Sequence, residues 1–189
     1  MQLIGSVTSP FVRRLRLLLT DVDYDFLALD IFSEAGSAVL KENNPAKKIP
    51  VLKDGEKTIF DSRVIFNYLR EKLAMPALTW QQENLLTMID AANDSLVTLF
   101  LCRNSKLPVE EDILFFNLQK SRIDAVLTAL DAEVAAEKFT DWQYPAICLF
   151  CLLDWVEFRQ VTPWQQHSNL LAFHQQAAQR EDAQATDPR

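Results

Sequence analysis

The chain has little glycine and little histidine. Only three of its 189 residues are glycine, and they stand far apart in the sequence. A dinucleotide-binding fingerprint or a phosphate-binding loop needs several closely spaced glycines, so the sequence argues against both motifs. Its two histidines, His167 and His174, are too few for a histidine-rich metal site. We therefore expect neither a nucleotide-binding loop nor a bound metal.

Excess positive charge and long apolar runs are also lacking. The formal net charge is −7 at pH 7, with 19 basic and 26 acidic residues. Nucleic acids and anionic membrane surfaces are bound by basic faces, so neither is an expected partner. Residues 1–10 lack the pattern of a secretory signal, and no uninterrupted apolar run reaches the about 18 residues of a membrane span.

Cysteine is scarce as well. The three cysteines form no disulfide framework, which is typical of a reducing compartment, and we expect a cytoplasmic protein. Cys148 and Cys151 have the spacing of a redox pair, but they fall in an apolar helical segment and not at a strand-to-helix turn. We interpret them as small buried hydrophobic residues.

The first 75 residues alternate short apolar runs with helical patterns. A strand is predicted at Gln2–Gly5, and Pro10 suits the first position of a helix. Asp54-Gly55 is a hairpin signal between two further strands, and Asp61-Ser62 is a helix start. The segment Ser33–Asn44 is polar and irregular, with at most a short helix. The predicted order, β-α-β-(α)-β-β-α, is that of a thioredoxin-like α/β domain with a mixed four-stranded sheet.

After the break at Pro76 the pattern is helical almost throughout. Apolar residues recur at helical spacing, and the segment from Pro145 to Phe158 is apolar on nearly every side, as in the central helix of a bundle. A last helix is predicted at Ser168–Gln179, followed by a polar tail from Arg180. We predict two domains, a thioredoxin-like domain over residues 1–75 and an all-α helical bundle over residues 80–189.

Three segments carry a resemblance to a known family. They read SPFVRRLR at 9–16, NPAKKIPVL at 44–52 and FDSRVIFNYL at 60–69. Their order and spacing resemble those of the soluble (cytosolic) glutathione transferases, both the small bacterial members and the tau class of plants. The resemblance implies a homodimer that uses glutathione as co-substrate, without another cofactor, and attacks a small electrophilic apolar substrate lodged against the helical domain.

The resemblance gives Ser9 the catalytic role. A family relative that uses cysteine chemistry would carry a thiol here, whereas Ser9 would stabilise the thiolate that glutathione itself brings. A free thiol has a pKa of about 8.5, and a donated hydrogen bond together with a helix N-terminus favours its charged form. Two alternatives stay open. Ser9 is also a favourable helix cap, and the neighbouring hydroxyls of Ser6 and Thr8 could contact the sulfur instead.

The other implied glutathione-binding residues lie in the second and third segments. The resemblance implies a cis Ile49-Pro50 peptide bond, with the main chain of Ile49 paired to the cysteinyl part of glutathione. Lys48 would meet the glycyl carboxylate, or else be a solvated lysine. Asp61 and Ser62 would hold the γ-glutamyl end, and both also suit a plain helix cap.

One departure from the family pattern concerns the central helix. Many members begin it with Ser/Thr-x-x-Asp, and the corresponding stretch here is QYPA, residues 143–146. The capping box is lost, and Pro145 would set the helix start. A glutathione transferase is the leading interpretation, with isomerisation or peroxide reduction as variants. The alternative is a non-catalytic relative that acts through protein–protein binding.

Overall fold

The structure, a computed structural model, describes residues 1–189. By packing, the chain divides into two units, one of Met1–Ala77 with Glu181–Arg189, the other of Leu78–Arg180. The division into domains over residues 1–75 and 80–189 stays a prediction. It differs from the observed packing chiefly in the last nine residues, which lie against the first unit.

The first unit contains a mixed four-stranded sheet. The strand order is β2-β1-β3-β4, with β1 parallel to β2 and antiparallel to β3, and β3 and β4 form a hairpin. This confirms the predicted thioredoxin-like α/β fold. Its elements are β1 (Gln2–Gly5), α1 (Pro10–Leu18), β2 (Asp25–Ala28), α2 (Glu34–Asn43), β3 (Val51–Asp54), β4 (Lys57–Phe60) and α3 (Ser62–Lys72).

Strands β1 and β3 form the buried centre of this sheet. Leu3 and Val51 are both 0% exposed. Gly5 ends β1 under α1, and a Cβ atom at that position would lie 2.4 Å from Cγ2 of Val12. A larger residue would therefore displace the first turn of α1. Glycine at position 5 fixes how closely the start of this helix approaches the sheet.

Helix α2 is longer than the sequence predicts. The polar segment predicted as irregular contains a helix of ten residues. Its start is capped because the side chain of Ser33 accepts a hydrogen bond from the Gly36 amide at 3.1 Å. One apolar residue, Leu40, anchors the helix by packing against Ile4 and Val51. A single buried leucine is too weak a periodic signal to identify a helix in the sequence.

At the hairpin end of the sheet, Asp54 links β3 to α3. The hydroxyl of Tyr68 donates to Oδ2 of Asp54 at 2.5 Å, and Nζ of Lys72 pairs with the same oxygen. The hydrogen bonds from Lys72 and Tyr68 lower the pKa of the Asp54 carboxyl, which in turn raises the pKa of both partners. This contact attaches the hairpin to the end of α3 that lies away from Asp61.

The second unit is all helical, as predicted. Helix α6 is its core, with every residue from Tyr144 to Val156 buried. Gln143 precedes the helix without a side-chain cap, and Pro145 lies in its first turn, as the lost capping box implies. Cys148 and Cys151 are buried on this helix, as expected for small hydrophobic residues. The helices are α4 (Trp80–Asn104), α5 (Leu114–Ala135), α6 (Tyr144–Arg159) and α7 (Ser168–Ala177), and α8 (Glu181–Ala185) follows in the first unit.

Helix α4 is long and apolar enough to cross a membrane by length and composition. In the structure it packs along α5 and α6. Of its most apolar 18-residue window, 44% is buried inside the protein. The contacts of α4 with α5 and α6 make it one of the packed helices of the bundle.

Candidate functional site

The register of the sheet brings the three family-like segments to one end of it. Ile4 of β1 pairs with Val51 of β3, and Val51 pairs with Phe60 of β4. Adjacent strands lie about 4.8 Å apart, so these three residues form one short row across the sheet. The segments next to this row are Ser6–Ser9 after β1, Ile49-Pro50 before β3 and Asp61-Ser62 after β4.

Ser9 caps the helix that begins at this end of the sheet. It has extended backbone angles, φ −83° and ψ 126°, and Oγ accepts a long hydrogen bond of 3.4 Å from the Val12 amide. A hydroxyl has two acceptor lone pairs and one donor hydrogen. Capping uses only an acceptor site, so the same Oγ–H can still donate to a sulfur. The two roles predicted as alternatives for Ser9 are compatible.

The neighbouring hydroxyls are held to each other. Oγ of Ser6 lies 3.1 Å from Oγ1 of Thr8, and the Thr8 amide donates to Oγ of Ser6 at 3.4 Å. The Ser9 amide donates to the carbonyl of Ser6 at 3.1 Å, which closes the turn. Ser6 and Thr8 thus use part of their hydrogen-bonding capacity within the turn. One of these two hydroxyls donates to the other, so the pair leaves one hydroxyl hydrogen available beside that of Ser9, and the alternatives to Ser9 stay open.

The Ile49-Pro50 peptide bond is cis, as the resemblance implies. Pro50 is buried and Ile49 is half-buried against β1 and β3. The residue just before them, Lys48, is exposed. The main chain of Ile49 therefore lies just before the inner strand β3, and an exposed lysine precedes it.

Asp61 has an unusual backbone conformation. Its φ of 75° and ψ of 130° lie outside the regions that non-glycine residues ordinarily occupy. Its Oδ1 accepts hydrogen bonds from the amides of Arg63 at 2.9 Å and Val64 at 3.2 Å, so it caps α3. A carboxylate has about four acceptor positions, which leaves capacity for a ligand cation. Backbone strain of this kind is typical of functional sites.

Two helix N-termini meet the same end of the sheet. Helix α1 begins after Ser9, and α3 begins at Ser62, which is 4% exposed. The first-turn amides of a helix and its dipole favour anions. This end of the sheet thus carries a carboxylate, a lysine, a hydroxyl and the first-turn amides of two helices.

The sequence interpretation did not single out Asn44. This residue is 1% exposed, and its side chain bonds the main chain of the loop that carries Lys48. An asparagine directly before a proline is typical of a turn, because its side chain can bond the amide two residues further on. That signal marks the loop but does not predict the bond to Lys48.

Arg103 is a charged residue in the last turn of α4. It lines a cavity of about 300 Å³ in the second unit. Its guanidinium pairs with Glu110 at 3.2 Å and donates to the carbonyl of Val161 at 3.3 Å. The cation therefore joins the end of α4 to the segments that follow α4 and α6, which is a structural role.

The sequence of this chain is similar to known proteins of one family. The family model for the glutathione S-transferase N-terminal domain matches residues 3–77. The uncharacterized GST-like protein YibF of Escherichia coli strain K12 is 28% identical over 176 residues, which cover 86% of this chain and 85% of that protein. A probable maleylacetoacetate isomerase of Caenorhabditis elegans is 40% identical over 58 residues, 31% of this chain and 27% of that protein.

A solved structure extends the likeness to the full chain. A glutathione transferase family member from Pseudomonas fluorescens Pf-5, crystallised with bound glutathione, matches with a TM-score of 0.83 and 26% identity. The match covers 100% of this chain and 98% of that one. Residues 3–77 therefore form a glutathione S-transferase N-terminal domain, and the chain as a whole has the glutathione transferase fold.

Proposed function

We propose that the protein is a glutathione transferase that holds bound glutathione as the thiolate, ready to attack a small electrophilic apolar substrate. The observation that carries this proposal is the row Ile4, Val51 and Phe60, because it gathers the three family-like segments at one end of the sheet. The glutathione bound to the Pseudomonas fluorescens relative supports the same ligand here.

In this proposal Ser9 stabilises the sulfur. Its hydroxyl accepts from the Val12 amide and donates its hydrogen to the thiolate. A hydrogen bond to a charged group contributes about 1.5–3 kcal/mol, which lowers the thiol pKa by about one to two units. The N-terminus of α1 adds a favourable dipole. A thiol pKa of about 6.5–7.5 leaves a substantial fraction of bound glutathione ionised at neutral pH, and the protein supplies no nucleophile of its own.

The rest of the tripeptide is held by its charges and its main chain. The carboxylate of Asp61 accepts from the α-ammonium group, and Ser62 with the first turn of α3 binds the γ-glutamyl carboxylate. The main chain of Ile49 pairs with the cysteinyl residue next to the cis bond to Pro50. Lys48 pairs with the glycyl carboxylate. Every charged group of glutathione thereby meets an opposite charge or a helix N-terminus.

The wider setting of this activity is also part of the proposal. We propose a cytoplasmic homodimer with glutathione as co-substrate and no further cofactor. The second substrate is a small apolar electrophile. Conjugation, isomerisation and peroxide reduction share the thiolate step, and similarity to a probable maleylacetoacetate isomerase supports an isomerase variant. The alternative is a non-catalytic relative that binds other proteins.

The decisive experiment is a calorimetric titration of reduced glutathione into the wild type and Ser9→Ala. We expect the wild type to bind with a Kd between micromolar and low millimolar and to conjugate chlorodinitrobenzene. Ser9→Ala should bind glutathione but lose about 10–100-fold in kcat, the factor for one hydrogen bond to a charge. The pH profile of the variant should move toward that of free glutathione.

Two matched variants complete this test. Ser6→Ala and Thr8→Val remove the neighbouring hydroxyls, and each should keep most of the activity. If Thr8→Val loses its conjugating activity and Ser9→Ala keeps it, the sulfur donor is Thr8. No binding by the wild type at about 10 mM glutathione, weaker than about −2.7 kcal/mol, would contradict the transferase and favour the protein-binding alternative.

A further inference from the structure

Asn44 ties together the loop between α2 and β3. Its side chain accepts a hydrogen bond from the Ala46 amide at 2.9 Å and donates one to the Lys48 carbonyl at 2.7 Å. Its own carbonyl accepts from the Lys47 amide at 2.9 Å. Ala46, Lys47 and Lys48 are thus each bonded to this one residue, which is 1% exposed.

The bond to Lys48 orients the peptide that precedes Ile49. The carbonyl of Lys48 and the N–H of Ile49 belong to one planar unit, and this peptide bond is trans. In a trans peptide the C=O and N–H vectors point in opposite directions. Because Asn44 holds the carbonyl, it also fixes the direction of the Ile49 N–H, which points away from Asn44.

The loop needs such an internal partner because it is strained. Lys47 has φ 53°, the left-handed region that costs a non-glycine residue free energy. Pro45 has no N–H to stabilise the turn. The side chain of Asn44 supplies the bonds to Ala46 and Lys48, and its main-chain carbonyl supplies the bond to Lys47. These bonds hold the residues just before the cis bond.

We propose that Asn44 is a positioning residue for glutathione. It does not touch the tripeptide but sets the orientation of the Lys48–Ile49 peptide that receives the cysteinyl main chain. This inference rests on the proposed transferase function. Loss of the donor at position 44 lets the peptide rotate, so glutathione binding weakens while the chemistry at the sulfur is unchanged once glutathione is bound.

The test uses two substitutions and a neighbouring control. Asn44→Asp keeps the acceptor for Ala46 but places an oxygen against the Lys48 carbonyl. Asn44→Ser keeps a short acceptor without charge and cannot reach Lys48. The control is Asn43→Ala, since Asn43 donates only backwards into α2, to the Val39 carbonyl at 2.8 Å. Circular dichroism and thermal unfolding identify any variant that does not fold.

We expect both Asn44 variants to raise the Kd and the KM for reduced glutathione at least about tenfold, with kcat at saturating glutathione within about twofold. Asn43→Ala should bind as the wild type does.

The outcomes distinguish a failure of the positioning role of Asn44 from a failure of the proposed transferase function. A wild type that does not bind glutathione overturns the transferase proposal and this inference with it. A wild type that binds, with folded Asn44→Asp and Asn44→Ser that bind equally well, overturns the positioning role alone. A fall in kcat at unchanged KM would also contradict it, since that would place the effect at the sulfur.

Discussion

Asn93 is a polar residue enclosed in the helical unit. Its side chain is 0% exposed, and neither its amide oxygen nor its amide nitrogen hydrogen-bonds another group of the chain. A buried polar group without a partner costs about 1–3 kcal/mol of stability. This position in α4 therefore destabilises the fold, although the leucines around it on the same helix are well buried.

We predict that Asn93→Leu raises the free energy of unfolding by at most about 1–3 kcal/mol, because leucine has the same branched skeleton and no polar atoms to desolvate, while its larger methyl groups offset part of the gain. Urea denaturation followed by circular dichroism measures the change. Asn84→Leu, at an exposed position of the same helix, should change stability by less than about 0.5 kcal/mol. Destabilisation by Asn93→Leu would contradict the prediction.

Individual residues were predictable where a short motif carries them. Ser9, Pro50 and Asp61 stand in contiguous segments, and the structure gives each the local geometry those segments imply, a cap, a cis bond and a helix start. Asn93 was not predictable, because apolar spacing identifies the buried face of α4 but does not tell which polar residue lies inside it. The second bond of Asn44 likewise depends on the folded loop.

At the scale of elements, α7 is capped from another helix. His167 precedes α7 without a side-chain cap. Asp131 of α5 accepts instead, from the amides of Asn169 at 2.9 Å and Leu170 at 3.0 Å, and from the Asn169 side chain at 2.8 Å. Burial alone would raise the pKa of Asp131, but these hydrogen bonds outweigh burial and lower it.

We predict that Asp131→Ala lowers the free energy of unfolding by about 1–2 kcal/mol at neutral pH, the cost of a lost cap. The folded pKa is below the unfolded one, so this contribution is full above about pH 4 and is lost as pH falls through the folded pKa. Urea titrations at several pH values should show the two proteins converging in acid. Asp124→Ala, at an exposed position of α5, should have the free energy of unfolding of the wild type at every pH.

Most elements can be predicted from the sequence. The exceptions share one cause, because the contacts that stabilise them come from residues distant in the sequence. Strand β1 and the starts of α1 and α3 agree with the prediction because their signals are local, a proline, a cap and an apolar run. Helix α2 was underestimated, since its single apolar anchor, Leu40, finds its partners on β1 and β3. The cap of α7 comes from Asp131, 38 positions before Asn169, which is beyond any local pattern.

At the scale of the whole molecule, the first unit is built from both ends of the chain. Arg13 of α1 is 4% exposed, and its guanidinium donates to the carbonyl of Ala183 at 2.8 Å and to Oγ1 of Thr186 at 3.3 Å. The sequence predicted only a polar tail here. Two small buried residues among charged ones give no periodic signal, so this contact could not be predicted without the structure.

The tail therefore matters for the helix that carries Ser9. We predict that deleting residues 181–189 lowers the free energy of unfolding by at least about 2–3 kcal/mol, because the buried guanidinium of Arg13 loses acceptors on Ala183 and Thr186. Deleting only Pro188 and Arg189 keeps both acceptors and should cost little, since Pro188 is only partly buried and Arg189 is exposed. Urea denaturation of the two truncated proteins measures the difference. Equal stability would mean that α1 does not depend on the tail, and the first unit would then be complete without the end of the chain.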